Sequence, residues 1–176
     1  MRNVQAYHED VSEAGAGQRV ALNLQGVDKA DIERGAIIAR PETLVLTNRI
    51  DATLRYMKLT FKPIRNTSIL RFHVATTQAE AKLILLDRNA IEPGEEVFTK
   101  YTFAEPIVVL PGDRYILRGS YAIQTLGGGI VLDILPRKHR RKSDLLNKTF
   151  GILSSGTMRE KAEYHVVKGG YEGLRK

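Results

Sequence analysis

The sequence contains no cysteine, and this absence removes several classes of protein at once. Disulfide bonds, a thiolate nucleophile, an iron–sulfur cluster and a zinc ribbon are all excluded. No apolar run approaches the roughly 20 residues that are needed to span a bilayer. The opening Met1-Arg2-Asn3-Val4-Gln5 also lacks the apolar core of a secretory signal. We therefore expect a cytoplasmic protein with no membrane partner.

The motifs of several enzyme classes are absent as well. There is no G-x-x-x-x-G-K-[ST] phosphate-binding loop, and His8, His73, His139 and His165 are too dispersed for a helix-borne zinc site. Gly127-Gly128-Gly129 precedes a predicted strand rather than a helix. We interpret it as a bulge or a close approach of two backbones. These observations favour a chain that is not an enzyme and holds no metal or cofactor.

Positive charge is concentrated in one short segment. The net charge is +7, but five of the 27 basic residues stand within 137–142, namely Arg137, Lys138, Arg140, Arg141 and Lys142. Without them the rest of the chain is nearly neutral. Such a run favours phosphate or another polyanion. A solvated linker with incidental polyanion affinity is the interpretation that we favour over a specific site.

The first 135 residues show the period-2 pattern of β-strands. Short alternating runs, rich in β-branched and aromatic residues, are separated by the turn signals Pro93-Gly94-Glu95 and Pro111-Gly112-Asp113. The predicted strands are 20–24, 49–59, 69–74, 81–86, 96–103, 114–118 and 130–134. Regular spacing of short strands and turns predicts a mainly β protein with a closed barrel.

The pattern becomes helical after the basic segment. We predict one helix over 144–153 and a second that begins with a capping box at Thr157-Met158-Arg159-Glu160 and ends at Gly169-Gly170. The second helix carries an apolar stripe formed by Met158, Ala162, His165 and Val166, which predicts its buried face. The three or so strands before Pro41 are too few to close a barrel, and the helical tail is short. We therefore expect a piece of a longer protein.

Several short motifs, in a fixed order, resemble a known family. Ala16-Gly17-Gln18-Arg19-Val20-Ala21-Leu22-Asn23-Leu24-Gln25-Gly26-Val27 and the following Ile32-Glu33-Arg34-Gly35 resemble domain II of elongation factor Tu-type translational GTPases. Leu110-Pro111-Gly112-Asp113-Arg114 and the glycine segment Thr125 to Val131 resemble domain III. Within that group, Gly17 to Asn23, Arg71-Phe72-His73-Val74, Leu85-Leu86-Asp87 and Pro136-Arg137-Lys138-His139 are most similar to the selenocysteine-specific elongation factors, SelB.

This resemblance implies both a domain organisation and a function. Residues 1–45 would be the C-terminal part of the domain II barrel, 46–135 the domain III barrel, 136–143 a basic linker, and 144–176 the start of a winged-helix arm. The family delivers selenocysteyl-tRNA to the ribosome at UGA codons, using GTP and Mg²⁺ in a GTPase domain. Its C-terminal arm binds the SECIS hairpin of the mRNA. Because this chain lacks the GTPase domain and most of the arm, the resemblance implies a non-catalytic tRNA-binding fragment.

The resemblance also implies candidate site residues. Arg19 matches an arginine of the selenocysteyl pocket, where a guanidinium suits a selenolate. Arg71, His73, Arg118, Thr125 and Gly127 are the candidates for tRNA contacts in domain III, where side chains and amides bind phosphates and sugars. Each could instead be an ordinary surface residue of a barrel. The arginine of the Tu motif R-T-T-D is not carried over, because Ala75-Thr76-Thr77-Gln78 stands there.

Three alternatives remain open at this point. The chain could be a fragment of another tRNA-carrying translational GTPase, of the elongation factor Tu or initiation factor type. It could be a β-barrel module that binds another protein, which the nearly neutral body permits. A weaker possibility is an enzyme with an unrecognised site. Binding through phosphates would weaken with salt, whereas a protein interface would change little.

Overall fold

The strands expected from the period-2 runs are present in the computed structural model, which describes residues 2–58, 62–119, 124–137 and 144–170. Within these ranges the chain forms eleven strands, a 3₁₀ turn and two helices. The mainly β fold with a helical tail, expected from the sequence, is thereby confirmed. The described helices are too short, and insufficiently apolar, to cross a membrane.

The chain divides into two compact units after Ala36. The elements of the first unit are β1 (Asn3–Ala6), β2 (Glu9–Asp10), β3 (Val20–Asn23) and the 3₁₀ turn Lys29–Asp31. Strand β1 pairs antiparallel with both of its neighbours, in the order β2-β1-β3. Three strands form an open sheet, in agreement with the expectation that this segment is too short to close a barrel.

The second unit is built on a closed six-stranded barrel. Its strands are β4 (Leu46–Tyr56), β6 (Ile69–Val74), β7 (Thr77–Leu85), β9 (Glu96–Val108), β10 (Arg114–Arg118) and β11 (Thr125–Asp133), with β5 (Ile64–Arg65) and β8 (Ala90–Ile91) as a separate pair. Around the barrel the order is β10-β11-β4-β9-β7-β6, and every neighbouring pair is antiparallel. The expected barrel is therefore confirmed.

Alternate residues of each strand fill the barrel. The interior is packed by aliphatic side chains around a group of four aromatic rings, Phe72, Tyr101, Phe103 and Tyr115. The hydroxyls of Tyr101 and Tyr115 lie 2.9 Å apart, and the Tyr115 hydroxyl also donates to the carbonyl of Thr53 at 2.6 Å. The buried hydroxyls are thus hydrogen-bonded, and the remaining residues of each strand point outward.

The helical tail packs on the outside of the barrel. Helix α1 (Asp144–Ser155) and helix α2 (Met158–Gly169) are joined by the predicted capping box at Thr157 and Glu160, and α2 ends at Gly170 with a positive φ. A second apolar cluster lies between helices and barrel, consisting of Leu86, Leu132, Phe150 and Leu153 with Ile84, Phe98 and Tyr164 against it. The ring of Phe150 stacks on that of Phe98, with centroids 4.7 Å apart.

The predicted apolar stripe of α2 is wrong. Met158 is 85% exposed and Val166 53% exposed, while Ala162 is exposed and His165 only half-buried. The side of α2 that faces the barrel carries Tyr164 and Lys168 instead. The reason is electrostatic, because the ammonium group of Lys168 pairs with a buried carboxylate of the barrel.

Candidate nucleic-acid interface

The outer face of β6, β10 and β11 brings four of the predicted tRNA-contacting residues together. Arg118 on β10 is the cross-strand partner of Arg71 on one side and of Thr125 on the other. His73 lies two residues along β6 from Arg71, on the same outward side. Since directly opposed residues have Cβ atoms about 5 Å apart, these side chains form one continuous patch. We call Arg71, His73, Arg118 and Thr125 the outer basic face.

The charges on the outer basic face are arranged to attract an anion. Two guanidinium groups stand opposite each other on neighbouring strands, an arrangement that is unfavourable without a counter-charge. In the part of the chain that the structure describes, neither Arg71 nor Arg118 forms an ion pair, although Glu80 is the cross-strand neighbour of Arg71. The Nε atom of Arg118 is buried without a hydrogen-bond partner among these residues. A phosphate oxygen between the two guanidinium groups would supply the counter-charge that they lack.

Gly127 does not belong to this outward surface. It is buried opposite Leu117, and a Cβ atom there would lie 2.4 Å from the carbonyl oxygen of Arg55. A Cβ atom at Gly128 would lie 2.3 Å from the carbonyl oxygen of Tyr115, and one at Gly129 would lie 1.8 Å from that of Thr53. The glycine segment is therefore a close approach of backbones, as expected from the sequence, but it lies inside β11 and not before a strand as predicted.

Arg19 lies in the first unit, where it is exposed in the loop before β3. It lines an open depression of about 750 Å³ together with Gln5, Tyr7, His8, Val20 and Ala21. Tyr7 and His8 form the tight turn between β1 and β2, both with positive φ. The guanidinium thus borders a cavity that also offers an aromatic ring and an imidazole.

The basic segment is described only at its first residue. The guanidinium of Arg137 donates to the carbonyl of Val167 at 3.3 Å and also to that of Lys168, both in the last turn of α2. A cation at this end of a helix satisfies free carbonyls and complements the helix dipole. The structure thus gives Arg137 a structural contact, while Lys138, Arg140, Arg141 and Lys142 lie outside the described residues.

A buried ionic cluster between the barrel and α2 was not predicted. Asp51 on β4 and Asp133 on β11 are cross-strand partners, and they are 1% and 2% exposed. The ammonium of Lys168 lies 2.7 Å and 2.5 Å from the two carboxylate oxygens of Asp133. Lys100 on β9 lies 3.8 Å from Asp51. We call Asp51, Lys100, Asp133 and Lys168 the interface cluster.

Burial has the largest effect on the ionisation of Asp51. Desolvation raises the pKa of Asp51 to about 7, with a further upward contribution from the Asp133 carboxylate, while Lys100 and Lys168 oppose this rise. The amide of Leu135 also donates to Asp133 at 2.9 Å. The cluster joins two strands and a helix within the fold, so we assign it to the attachment of the tail.

The fold and its outer face define a closed antiparallel β-barrel domain with a docked helical tail and a basic external surface. Residues 48–138 match the family model described as the β-barrel domain of selenocysteine-specific elongation factor. The chain is also 33% identical, over 160 residues, to the selenocysteine-specific elongation factor of Desulfomicrobium baculatum, an alignment covering 91% of this chain and 25% of the relative. The chain therefore belongs to the selenocysteine-specific elongation factor family and spans about a quarter of that relative's length.

Proposed function

We propose that this chain is a tRNA-binding part of a selenocysteine-specific elongation factor, which holds selenocysteyl-tRNA for delivery to the ribosome at UGA codons in the cytoplasm. The observation that carries this proposal is the outer basic face. Residues from three strands, which together span more than 50 positions of the sequence, converge there on one external surface of the barrel. Family membership supplies the identity of the ligand.

The arrangement suits binding to the backbone of RNA. Arginine guanidinium groups bind phosphate through two parallel hydrogen bonds, and the Thr125 hydroxyl can fix register on a phosphate or ribose. The surface of a closed barrel is rigid, because every strand is paired on both sides. The shape of an A-form helix and its 2′-hydroxyls would then be recognised by a preformed surface.

Within the same proposal, residues 1–45 belong to domain II, 46–135 form domain III, 136–143 are a basic linker, and 144–176 begin the arm that carries the SECIS contact. Arg19 would face the selenocysteyl group. The sequence has no phosphate-binding loop, and the described residues hold no group of three His, Asp or Glu side chains suited to a metal. We therefore place GTP, Mg²⁺ and the GTPase reaction of the parent protein outside this chain, which we propose to be non-catalytic.

The proposal is tested by titrating the purified chain with selenocysteine tRNA and with an ordinary elongator tRNA at two salt concentrations. We expect binding that weakens steeply with salt and prefers selenocysteine tRNA, because phosphate contacts release counterions. Arg71→Ala combined with Arg118→Ala should weaken binding about ten-fold or more and flatten the salt dependence. Salt-insensitive binding, or none at low salt, would instead favour a protein-binding module.

A further inference from the structure

A depression on the barrel lies beside the glycine segment and has no role in the function proposed above. It has a volume of about 350 Å³ and is lined by Arg55, Tyr56, Met57, Lys58, Gly94, Gly127 and Gly128. Two of these residues are cations, three are glycines, and none carries a carboxylate. This composition is suited to a small anion that must approach the backbone closely.

The position of Arg55 follows from the strand register. Arg55 on β4 is the cross-strand partner of Gly128 on β11, and Gly128 is in turn the partner of Ile116 on β10. Gly128 places no side chain between Arg55 and β10, and β11 packs so closely on β10 there that a Cβ atom would lie 2.3 Å from the carbonyl oxygen of Tyr115. Arg55 and Arg118 stand on either side of β11, two interstrand spacings apart across the sheet and also offset along it, because their partners on β11 are Gly128 and Thr125. The outer basic face and the depression therefore flank the same strand.

Lys58 is held at the opposite wall by the Pro93-Gly94 turn. The amide of Gly94 donates to the carbonyl of Tyr56 at 3.1 Å, which fixes the turn against the end of β4. Gly94 has a φ of +90°, and a Cβ atom there would lie 3.0 Å from Cγ of Lys58. Glycine at this position thus lets the aliphatic part of Lys58 lie along the turn, at the edge of the depression that Lys58 lines.

The two cations have no committed counter-charge. In the described ranges, neither Arg55 nor Lys58 forms an ion pair. Glu96 on β9 is the cross-strand partner of Arg55, but no ion pair joins the two side chains. The carboxylate of Glu95 is occupied, because it accepts from Arg88 at 2.8 Å and from the amide of Glu92 at 2.7 Å. Both cations are exposed, so their side chains can adjust to a ligand.

We propose that Arg55 and Lys58 form a phosphate subsite in this depression, which binds a different phosphate of the RNA from the one held by Arg71 and Arg118. The inference rests on the proposed tRNA-binding function and extends its surface across β11 to β4. Together the two groups would fix the RNA at two points of the barrel and thereby set its direction across the strands.

The test is a tRNA titration of Arg55→Ala and Lys58→Ala in the full chain, over a series of salt concentrations. Each variant should bind selenocysteine tRNA about three- to five-fold more weakly, which is typical of one exposed ionic contact. Each should also reduce the slope of log affinity against log salt by about 0.7 to 0.9. Arg55→Lys should retain the slope, because it retains the charge.

Arg49→Ala is the matched control. Arg49 is an exposed arginine of the same strand, six residues or about 20 Å from Arg55, and its removal should change neither affinity nor slope. One outcome would overturn the subsite alone. In that outcome the wild type binds tRNA, the Arg71 and Arg118 variants bind it more weakly, and the Arg55 and Lys58 variants bind it as tightly as the wild type. If the wild-type chain does not bind tRNA, both the subsite and the proposed function are overturned.

Discussion

At the scale of single residues, the glycine segment of β11 has the tightest steric requirement. A Cβ atom at Gly129 would lie 1.8 Å from the carbonyl oxygen of Thr53, and the Thr53 side chain also receives a hydrogen bond from the next amide, that of Ile130. The contact is with backbone, which cannot rotate away as a side chain could. Glycine here is fixed by barrel packing, independently of any ligand.

This requirement can be measured with a pair of glycine substitutions. Gly129→Ala should lower the free energy of unfolding by about 3 kcal/mol, because β11 or β4 must shift to make room. Gly151→Ala is the control, since Gly151 lies inside α1 with no atom near its would-be Cβ. Alanine there should raise stability by about 0.5 to 1 kcal/mol. Both values can be measured by denaturant unfolding. A Gly129→Ala variant with the same free energy of unfolding as the wild type would contradict this account.

Asp51 predicts a pH dependence of stability. The native carboxyl keeps its proton up to about pH 7, whereas an unfolded aspartate releases it near its ordinary value of 3.8. Between these values the native state binds more protons, so the free energy of unfolding should fall as pH rises and then level off above pH 7. Asp51→Asn mimics the neutral acid and should remove this part of the slope.

The measurement is the difference in unfolding free energy between Asp51→Asn and the wild type at several pH values. Between pH 5 and pH 7.5 the free energy of unfolding of the variant should rise by about 2 kcal/mol relative to that of the wild type. Titrations that the two proteins share cancel in the difference. Glu105→Gln, at an exposed position of β9, is the control, and its free energy of unfolding should vary with pH as that of the wild type does. A constant difference for Asp51→Asn would show that Asp51 is ionised throughout.

The interface cluster also shows a limit of sequence reasoning at this scale. Asp51, Asp133 and Lys168 come from three distant segments, and no local pattern links them. Asp51 stands within an alternating strand at an outward position, which normally faces solvent. Its burial depends on a helix that packs over the barrel from more than 100 positions away, so only the folded topology could reveal it.

At the scale of elements, local signals predicted the helix ends better than the helix faces. The capping box and the Gly170 end of α2 were correct, because they depend on residues within one turn. The buried face was wrong, because apolar periodicity was outweighed by the pairing of Lys168 with Asp133.

Strands β6 and β10 were predicted with correct bounds, whereas β4 begins three residues earlier than expected.

The attachment of α1 depends on Phe150, which is 1% exposed and stacks on Phe98. Phe150→Ala should leave a cavity that costs about 3 to 5 kcal/mol. Hydrogen exchange should then speed up in α1 and α2 while amides of β6 and β10 keep their protection. Met158→Ala, at an exposed position of α2, should leave exchange unchanged. Loss of protection in the whole barrel would mean that tail and barrel unfold as one unit.

At the scale of the whole molecule, the fold class was predictable and the arrangement of the site was less so. Alternation and turn residues indicated a closed barrel, since they report directly on which side of a strand is buried. Arg71, His73, Arg118 and Thr125 were chosen by resemblance, and the strand register shows that they are neighbours. Arg55 and Lys58 gave no signal, because the depression between them arises from the pairing of β4 with β11.

The strand order has a consequence for how the chain is made. Synthesis produces β4 first among the barrel strands, but its partners β9 and β11 begin about 40 and 70 residues later. At typical rates of synthesis, β4 waits roughly 4 to 14 s for β11. Until then the sheet β10-β6-β7-β9-β4 has an unpaired outer edge on each of its two end strands, β10 and β4. The last strand made, with its three glycines, is the one that joins those two ends and closes the cylinder.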